Sequence, residues 1–179
     1  GIAPLNFCPS RHVEVPVIVA INGMCVGGAL NFLADADIAI AADTAWFSDP
    51  HVTMGQVSGP EVLQLAAKAS FKAVAQLALS GAPHRITAQR ALELQLVSEV
   101  VAAEELAARA DEIAAMIAAQ SPTAVRATLS ILRRRVREPI AAELQNAWDL
   151  VVAQWEHPDA MEGPAAFAAK RPAEWAAVS

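Results

Sequence analysis

A short apolar strand, a turn, a glycine pair and a helix follow one another within residues 16–37, PVIVAINGMCVGGALNFLADAD. Val17 to Ile21 is rich in β-branched side chains, the pattern of a buried strand. Asn22-Gly23 supplies a turn signal, and Gly27-Gly28 precedes ALNFLADA, which reads as a short helix. The first N–H groups of a helix have no partner inside it. The macrodipole adds positive potential at that end, and glycine lets a ligand come close to the backbone. Such an element can hold a phosphate, or an oxyanion that develops during a reaction. It serves equally as a tight strand-to-helix connection without a ligand. The nucleotide fingerprints GxGxxG and GK[ST] are not present.

The rest of the chain alternates short extended pieces with helices and ends in helices alone. Asp37 to Ala42 predicts a second buried strand, and Thr44 to Ser48 a third extended piece. Asp49-Pro50-His51 breaks the pattern, because proline turns the residue before it away from helix. Glu61 to Ala69 predicts a helix with Pro60 in its first turn, and Phe71 to Leu79 another, closed by Ser80-Gly81. Thr87 caps a short helix, and Leu96 to Val101 reads as extended. From Ala103 onward the pattern is helical, with Leu106, Ala110, Ile113 and Ile117 on one face. Ser121-Pro122 opens the next helix, with a stripe of Val125, Leu129, Leu132 and Val136. Pro139 opens another, carrying Ile140, Leu144, Trp148, Val151 and Trp155, and Ala165 to Lys170 is the last. The chain divides accordingly into a mixed part, residues 1–102, and a helical part, residues 103–179.

Composition narrows the function classes. The 179 residues are 55% hydrophobic with a net charge of −6, so no basic stripe points to nucleic acid. The one basic cluster, Arg133 to Arg135, reads mostly as a solvated helix face. No apolar run reaches membrane-spanning length. Cys8 and Cys25 lie in apolar contexts, which suits reduced, packed thiols and a cytoplasmic setting. No His/Cys/Asp cluster has metal-ligand spacing.

PVIVAINGMCVGGALNFLADADIAIAADTAWFSDPHVTMG resembles the core signature of the crotonase (enoyl-CoA hydratase/isomerase) superfamily. LALSGAPHRITAQRALELQLVSEVV, SPTAVRATLSIL and EGPAAFAAKRPAEW continue the likeness in order. The resemblance covers nearly everything after Val13 and matches the later two-thirds of such a protein. It implies an α/β (α+β) spiral of ββα turns followed by a helical trimerisation region. It implies an acyl-CoA thioester as substrate, whose carbonyl oxygen is held by two backbone N–H groups as it becomes an enolate. Gly28 matches the second of those donors. The first would come from an N-terminal segment outside this chain, and losing one such donor costs about 3 kcal/mol in the transition state. A polypeptide lacking it is expected to be inactive. No cofactor beyond the substrate's own coenzyme A is implied, and the assembly expected is a homotrimer or a dimer of trimers.

The departures from the family pattern bear on the chemistry. The two glutamates of the hydratases fall here on Asn31 and His51. An amide can orient by hydrogen bonds but cannot carry a proton, whereas an imidazole with a pKa near 6.5 serves as base or acid. Gly59 matches the glycine whose N–H positions water, and Glu61 is the only glutamate near it. At a helix start Glu61 also favours the dipole. Asp35 and Asp37 read as structural, Asp49 as the partner of a neighbouring cation, and His84 as a surface residue of a turn. Met24, Trp46 and Met54 are candidates for the acyl pocket or for the core. Phe167 and Lys170 match a patch that meets the adenine end of CoA from a neighbouring subunit.

Three functions follow. One is a hydratase or isomerase working with a single proton-transfer group. A second is a hydrolase like the ring-opening β-diketone hydrolases, which carry Pro-His at this position with an acid a few residues on. Here Pro60 takes that acid's place and Glu61 lies one beyond. A third is an acyl-CoA-binding protein without turnover, favoured by the loss of both glutamates.

Overall fold

The computed structural model describes Ser10 and residues 13–176. Cys8 and most of the N-terminal stretch therefore lie outside the described residues. The chain winds as a coil that delivers one strand to each of two small sheets per turn. β1 (Ile18–Ile21), β3 (Ile38–Ala42) and β6 (Glu99–Val101) form one parallel sheet in the order β1-β3-β6. β2 (Met24–Val26), β4 (Trp46–Ser48) and β5 (Ile86–Thr87) form the other, with β2 and β4 parallel and β5 antiparallel to β4. β2 is not foreseen by the sequence pattern: three residues between glycines are too few to show alternation. Of the extended stretch expected over Leu96 to Val101, Glu99–Val101 forms the strand.

The core lies between the sheets and the helices that follow them. Leu30, Ile40, Phe47 and Leu77 are fully buried in it. β3 is the central strand of its sheet, so both faces are covered, and its alanines keep it slim. α1 (Leu30–Asp35) buries Leu30, Leu33 and Ala34 against this core. α2 (Pro60–Lys68) packs on α1, and its Lys68 donates to the carbonyls of Ala34, Asp35 and Ala36. Those acceptors are the last carbonyls of a helix, which have no partner inside it. α3 (Phe71–Ser80) ends at Gly81, which takes a φ of +68°.

Capping follows the sequence closely. Thr87 Oγ1 accepts from Arg90 N–H at 3.2 Å at the start of α4 (Ala88–Glu93). Ser121 Oγ accepts from Ala124 N–H at 3.4 Å at the start of α6 (Pro122–Arg137). α5 (Leu106–Ala118) buries Leu106 and Ile113, with Ala110 and Ile117 against the core. The stripe expected on α6 is only partly covered: Leu129 is buried, but Leu132 is 60% exposed. What holds α6 is polar. Arg133 donates to both carboxylate oxygens of Asp37, at 2.9 and 2.7 Å, and to the carbonyls of Val13 and Val15. The basic cluster is thus not simply a solvated face.

α7 (Ala141–Gln154) buries Trp148, whose ring meets Trp155 edge-on at 5.8 Å. α8 spans Asp159–Ala168, six residues earlier than its expected start. Gly163 is where α8 lies directly on the backbone of Met54. Among the described residues no helix is long and apolar enough to cross a membrane.

Candidate active site

Val26 at the end of β2 pairs in register with Ser48 at the end of β4. The segments leaving these two strands therefore emerge side by side. One is the glycine turn, and the other is Asp49-Pro50-His51. Gly27 takes a φ of +54°, which favours glycine, and its Cα faces the Pro50 ring and His51 Cε1. Gly28 opens onto free space and is exposed. Gly27–Ala29 form a single 3-10 turn that leads into α1, so the early N–H groups have no intrahelical partner. Asn31, half-buried one turn on, donates from Nδ2 to Gly28 O at 3.3 Å and braces the turn.

His51 sits in a cluster of acids. Asp49 is fully buried, and its Oδ1 accepts the His51 backbone N–H at 3.2 Å and lies 2.5 Å from His51 Nδ1. Asp49 Oδ2 accepts Ser58 O–H at 2.5 Å. Ser58 Oγ is also 3.2 Å from Glu61 Oε1, and that oxygen is 3.5 Å from His51 Nδ1. Glu61 is buried in the first turn of α2, while the His51 side chain keeps 21% of its surface open. Burial is the largest single influence on the imidazole and pulls its pKa down. The hydrogen bond and charge of Asp49, with the charge of Glu61, outweigh it together, so His51 titrates above its ordinary value.

The loop beyond His51 is pinned at several points. The His51 carbonyl accepts from Met54 and Gln56 N–H, both at 2.9 Å. Thr53 Oγ1 accepts from Ala82 N–H at 2.8 Å, and Gln154 Nε2 donates to Gly55 O at 2.8 Å. Gly55 takes a φ of +67°, and a side chain there would collide with Asp159. Gly59 is buried against α7, where a Cβ would lie 2.6 Å from Val151. Packing against α7 therefore gives a reason for glycine at position 59 that is independent of any ligand.

The structure thus brings His51, Gly59 and Glu61 into one loop and sets His51 beside the glycine turn that carries Gly28 and Asn31. Asp49 was expected beside a cation of the loop, and it pairs with His51. Ser58 was not foreseen; a serine two residues before a helix gives no sign that it bridges two carboxylates. Met24 and Trp46 are register partners on the second sheet. Neither is a core residue: Met24 is 72% exposed, and the Arg85 guanidinium lies 4.4 Å over the Trp46 ring. Phe167 is 74% exposed on α8, and Lys170 lies exposed just past that helix. Cys25 is buried and its thiol is pushed up to about 12 by desolvation, which makes it inert. A groove of about 850 Å³ between α2 and α6, lined by Leu65, Leu96, Leu129 and Val136, does not include His51.

The sequence profile of a family described as enoyl-CoA hydratase/isomerase matches residues 9–177. The chain belongs to the enoyl-CoA hydratase/isomerase family. It is 33% identical over 184 residues to a mevalonyl-coenzyme A hydratase of Aspergillus fumigatus, covering 98% of this chain and 64% of that protein. It is 35% identical over 165 residues to a carnitinyl-CoA dehydratase of Proteus mirabilis, covering 89% of this chain and 62% of the relative. The fold superposes on an enoyl-CoA hydratase/isomerase from Pseudoalteromonas atlantica with a TM-score of 0.86 at 27% identity, covering 93% of this chain and 67% of that one. A carnitinyl-CoA hydratase from Mycobacterium avium gives a TM-score of 0.82 at 27% identity, covering 91% and 63%. The crotonase-like α/β spiral with a helical C-terminal region is therefore the fold of this enoyl-CoA hydratase/isomerase family member. The chain spans under two thirds of the length of those two curated relatives.

Proposed function

We propose that this protein acts on an acyl-CoA thioester, adding or removing water at a double bond beside the thioester or moving that bond, with His51 as the proton-transfer group. The observation that carries the reading is His51 beside the glycine turn, with Asp49 on Nδ1 and Nε2 free of any partner among the described residues. In the dehydration direction, Nε2 takes the proton from the carbon next to the thioester. The electron pair moves onto the thioester oxygen, where the Gly28 N–H is one of the donors that hold it. As the enolate collapses, the β-hydroxyl leaves with the proton that His51 returns, and water is released. Moving a double bond uses the same group, which returns the proton to a different carbon. One two-way acid–base residue suffices for both, so the absence of a second carboxylate at Asn31 is tolerated. Met24, Trp46, Gly59, Phe167 and Lys170 are proposed substrate contacts, with no cofactor beyond the CoA of the substrate itself.

One observation favours a second reading. Glu61 lies one residue beyond the acid position of the β-diketone hydrolases, yet its carboxylate comes within 3.5 Å of His51 Nδ1. A histidine flanked by an acid there could activate water to attack a carbonyl.

The test uses the complete product of the reading frame that encodes this chain, with panels of enoyl-, β-hydroxyacyl- and β-diketo thioesters. The base must be neutral to accept a proton, so the rate is expected to rise with pH through a pKa above the ordinary 6.5 of histidine. His51→Ala should lower turnover by about 10²–10⁴-fold and leave thioester binding in place. Full activity of His51→Ala with an unchanged profile overturns the reading. Binding without turnover on any panel member assigns the protein to a non-catalytic role.

A further inference from the structure

Among the groups around His51, Asp49 stands apart. Among the described residues it is the only one within hydrogen-bond reach of Nδ1, it is fully buried, and each of its oxygens accepts from the loop. Ser58 has a single hydroxyl proton. Asp49 Oδ2 is 2.5 Å away and Glu61 Oε1 is 3.2 Å away, so the proton goes to Asp49. Glu61 lies 3.5 Å from Nδ1, too far for a good hydrogen bond, and acts on the ring through its charge.

We propose that Asp49 is a positioning residue: it holds His51 with the proton on Nδ1, so that Nε2 is the atom that exchanges protons with substrate, and Ser58 locks Asp49 in that orientation. The proposal rests on the reading of His51 as the proton-transfer group.

When Nε2 takes a proton from substrate carbon, the ring becomes a cation with Asp49 already at 2.5 Å. No side chain or solvent has to reorganise to meet that charge, which is the benefit of a preorganised partner. When Nε2 gives the proton back, the ring returns to the same neutral tautomer, ready for the next cycle. The charged groups that face the imidazole are Asp49 from its own segment and Glu61 from α2; the glycine turn on the other side of Cε1 carries no charge. Asp49 also accepts the His51 backbone N–H, which is the ordinary role of an aspartate two residues before a turn position. A purely structural Asp49 would do only that, so the test must read the ring itself.

Asp49→Asn keeps the shape of the side chain and removes its charge. Nitrogen NMR of the imidazole in the complete protein should show the proton on Nδ1 in the parent. In Asp49→Asn the His51 titration should move to lower pH, because the hydrogen bond and charge that raise it are lost, and the acid limb of the pH–rate profile should move with it. kcat should fall on the order of 10²-fold while KM for the thioester is unchanged. Ser58→Ala, a milder change, should weaken the preference for the Nδ1 proton and lower kcat less than Asp49→Asn does. Glu61→Gln should shift the titration without altering the tautomer. If Asp49→Asn leaves both titration and tautomer unchanged, the proposal is overturned. It is also overturned if the titration moves but kcat does not, in a protein that His51→Ala inactivates. If the titration moves and His51→Ala remains fully active, the pairing stands and the reading of His51 as the proton-transfer group fails instead.

Discussion

The family resemblance sets Asn31 and His51 against the two glutamates of the hydratases, and the structure gives the two residues unequal situations. Asn31 spends its amide on the carbonyl of Gly28. Its replacement by alanine should therefore loosen the glycine turn, not remove a proton-transfer group. A single hydrogen bond of this kind contributes about 0.5–1.5 kcal/mol, so Asn31→Ala should lower kcat by about 2- to 10-fold, far less than loss of His51. A loss of 10³-fold or more in a steady-state assay would show that Asn31 has a direct part in the chemistry. His51 could be picked out in the sequence because it falls on a glutamate position of the signature. Asp49 and Glu61 were singled out as well, but not the geometry of their approach to the ring, and Ser58 was not singled out at all. Asp49 is two residues away across a proline, a spacing that most often means a turn. Ser58 and Glu61 reach it only because the loop of residues 52–57 folds back, and that fold depends on Thr53, Gly55 and the tail helices.

Helices with a strong local signal were legible, and the distant polar contacts that hold one of them in place were not. Thr87 and Ser121 announce their helices and cap them as expected. β2 and the first half of α8 escaped notice, and Gly163 is required where α8 meets the backbone of Met54. α6 shows the clearest mismatch. Its apolar stripe suggested a helix seated by leucines, yet the side chains of Arg133 and Asp37 are 12% and 15% exposed and provide much of its attachment. Burial pushes the Asp37 carboxyl up, but the hydrogen bonds from Arg133 and Val17 and the charges of Arg133 and Lys68 bring it below its ordinary value. A depressed carboxylate contributes stability above its unfolded pKa, and that contribution is lost as pH falls through the folded pKa. Arg133→Ala leaves the partly buried Asp37 carboxylate without its arginine, with the Val17 N–H still donating to it, and should cost about 1–3 kcal/mol. A urea titration at neutral pH should show an earlier midpoint for this variant, and the gap from the parent should narrow in acid. An unchanged midpoint would mean that the Arg133–Asp37 pair does not hold α6 in place.

At the scale of the whole molecule, the surface carries more apolar side chains than a lone chain needs. Phe71, Leu79, Met161 and Phe167 are each about three-quarters exposed, and Ile131 and Leu150 add to them on the helical half. Large exposed apolar patches mark surfaces made for contact. Together with the family resemblance, they lead to the expectation of a trimer or a dimer of trimers for the complete protein. Light scattering at micromolar concentration should report one of these masses, and a monomer would contradict the expectation. The strands β1, β3, β4 and β6 and most of the helices followed from the pattern of apolar residues, whereas β2 and β5 did not. The meeting of the glycine turn with the His51 segment did not, because it depends on the register Val26 with Ser48, and three-residue strands carry no register signal of their own.

The contact between Gly163 and Met54, with no side chain between the two backbones, makes the last helix a splint for the segment that carries His51. Splinted parts open together. Local opening in proteins proceeds in cooperative units, and here the unit joins residues far apart in the chain. The setting of the imidazole is thus shared with residues more than a hundred positions further along the chain, and a change in the tail is felt at the histidine segment through the Gly163 contact and the Gln154 hydrogen bond to the Gly55 carbonyl.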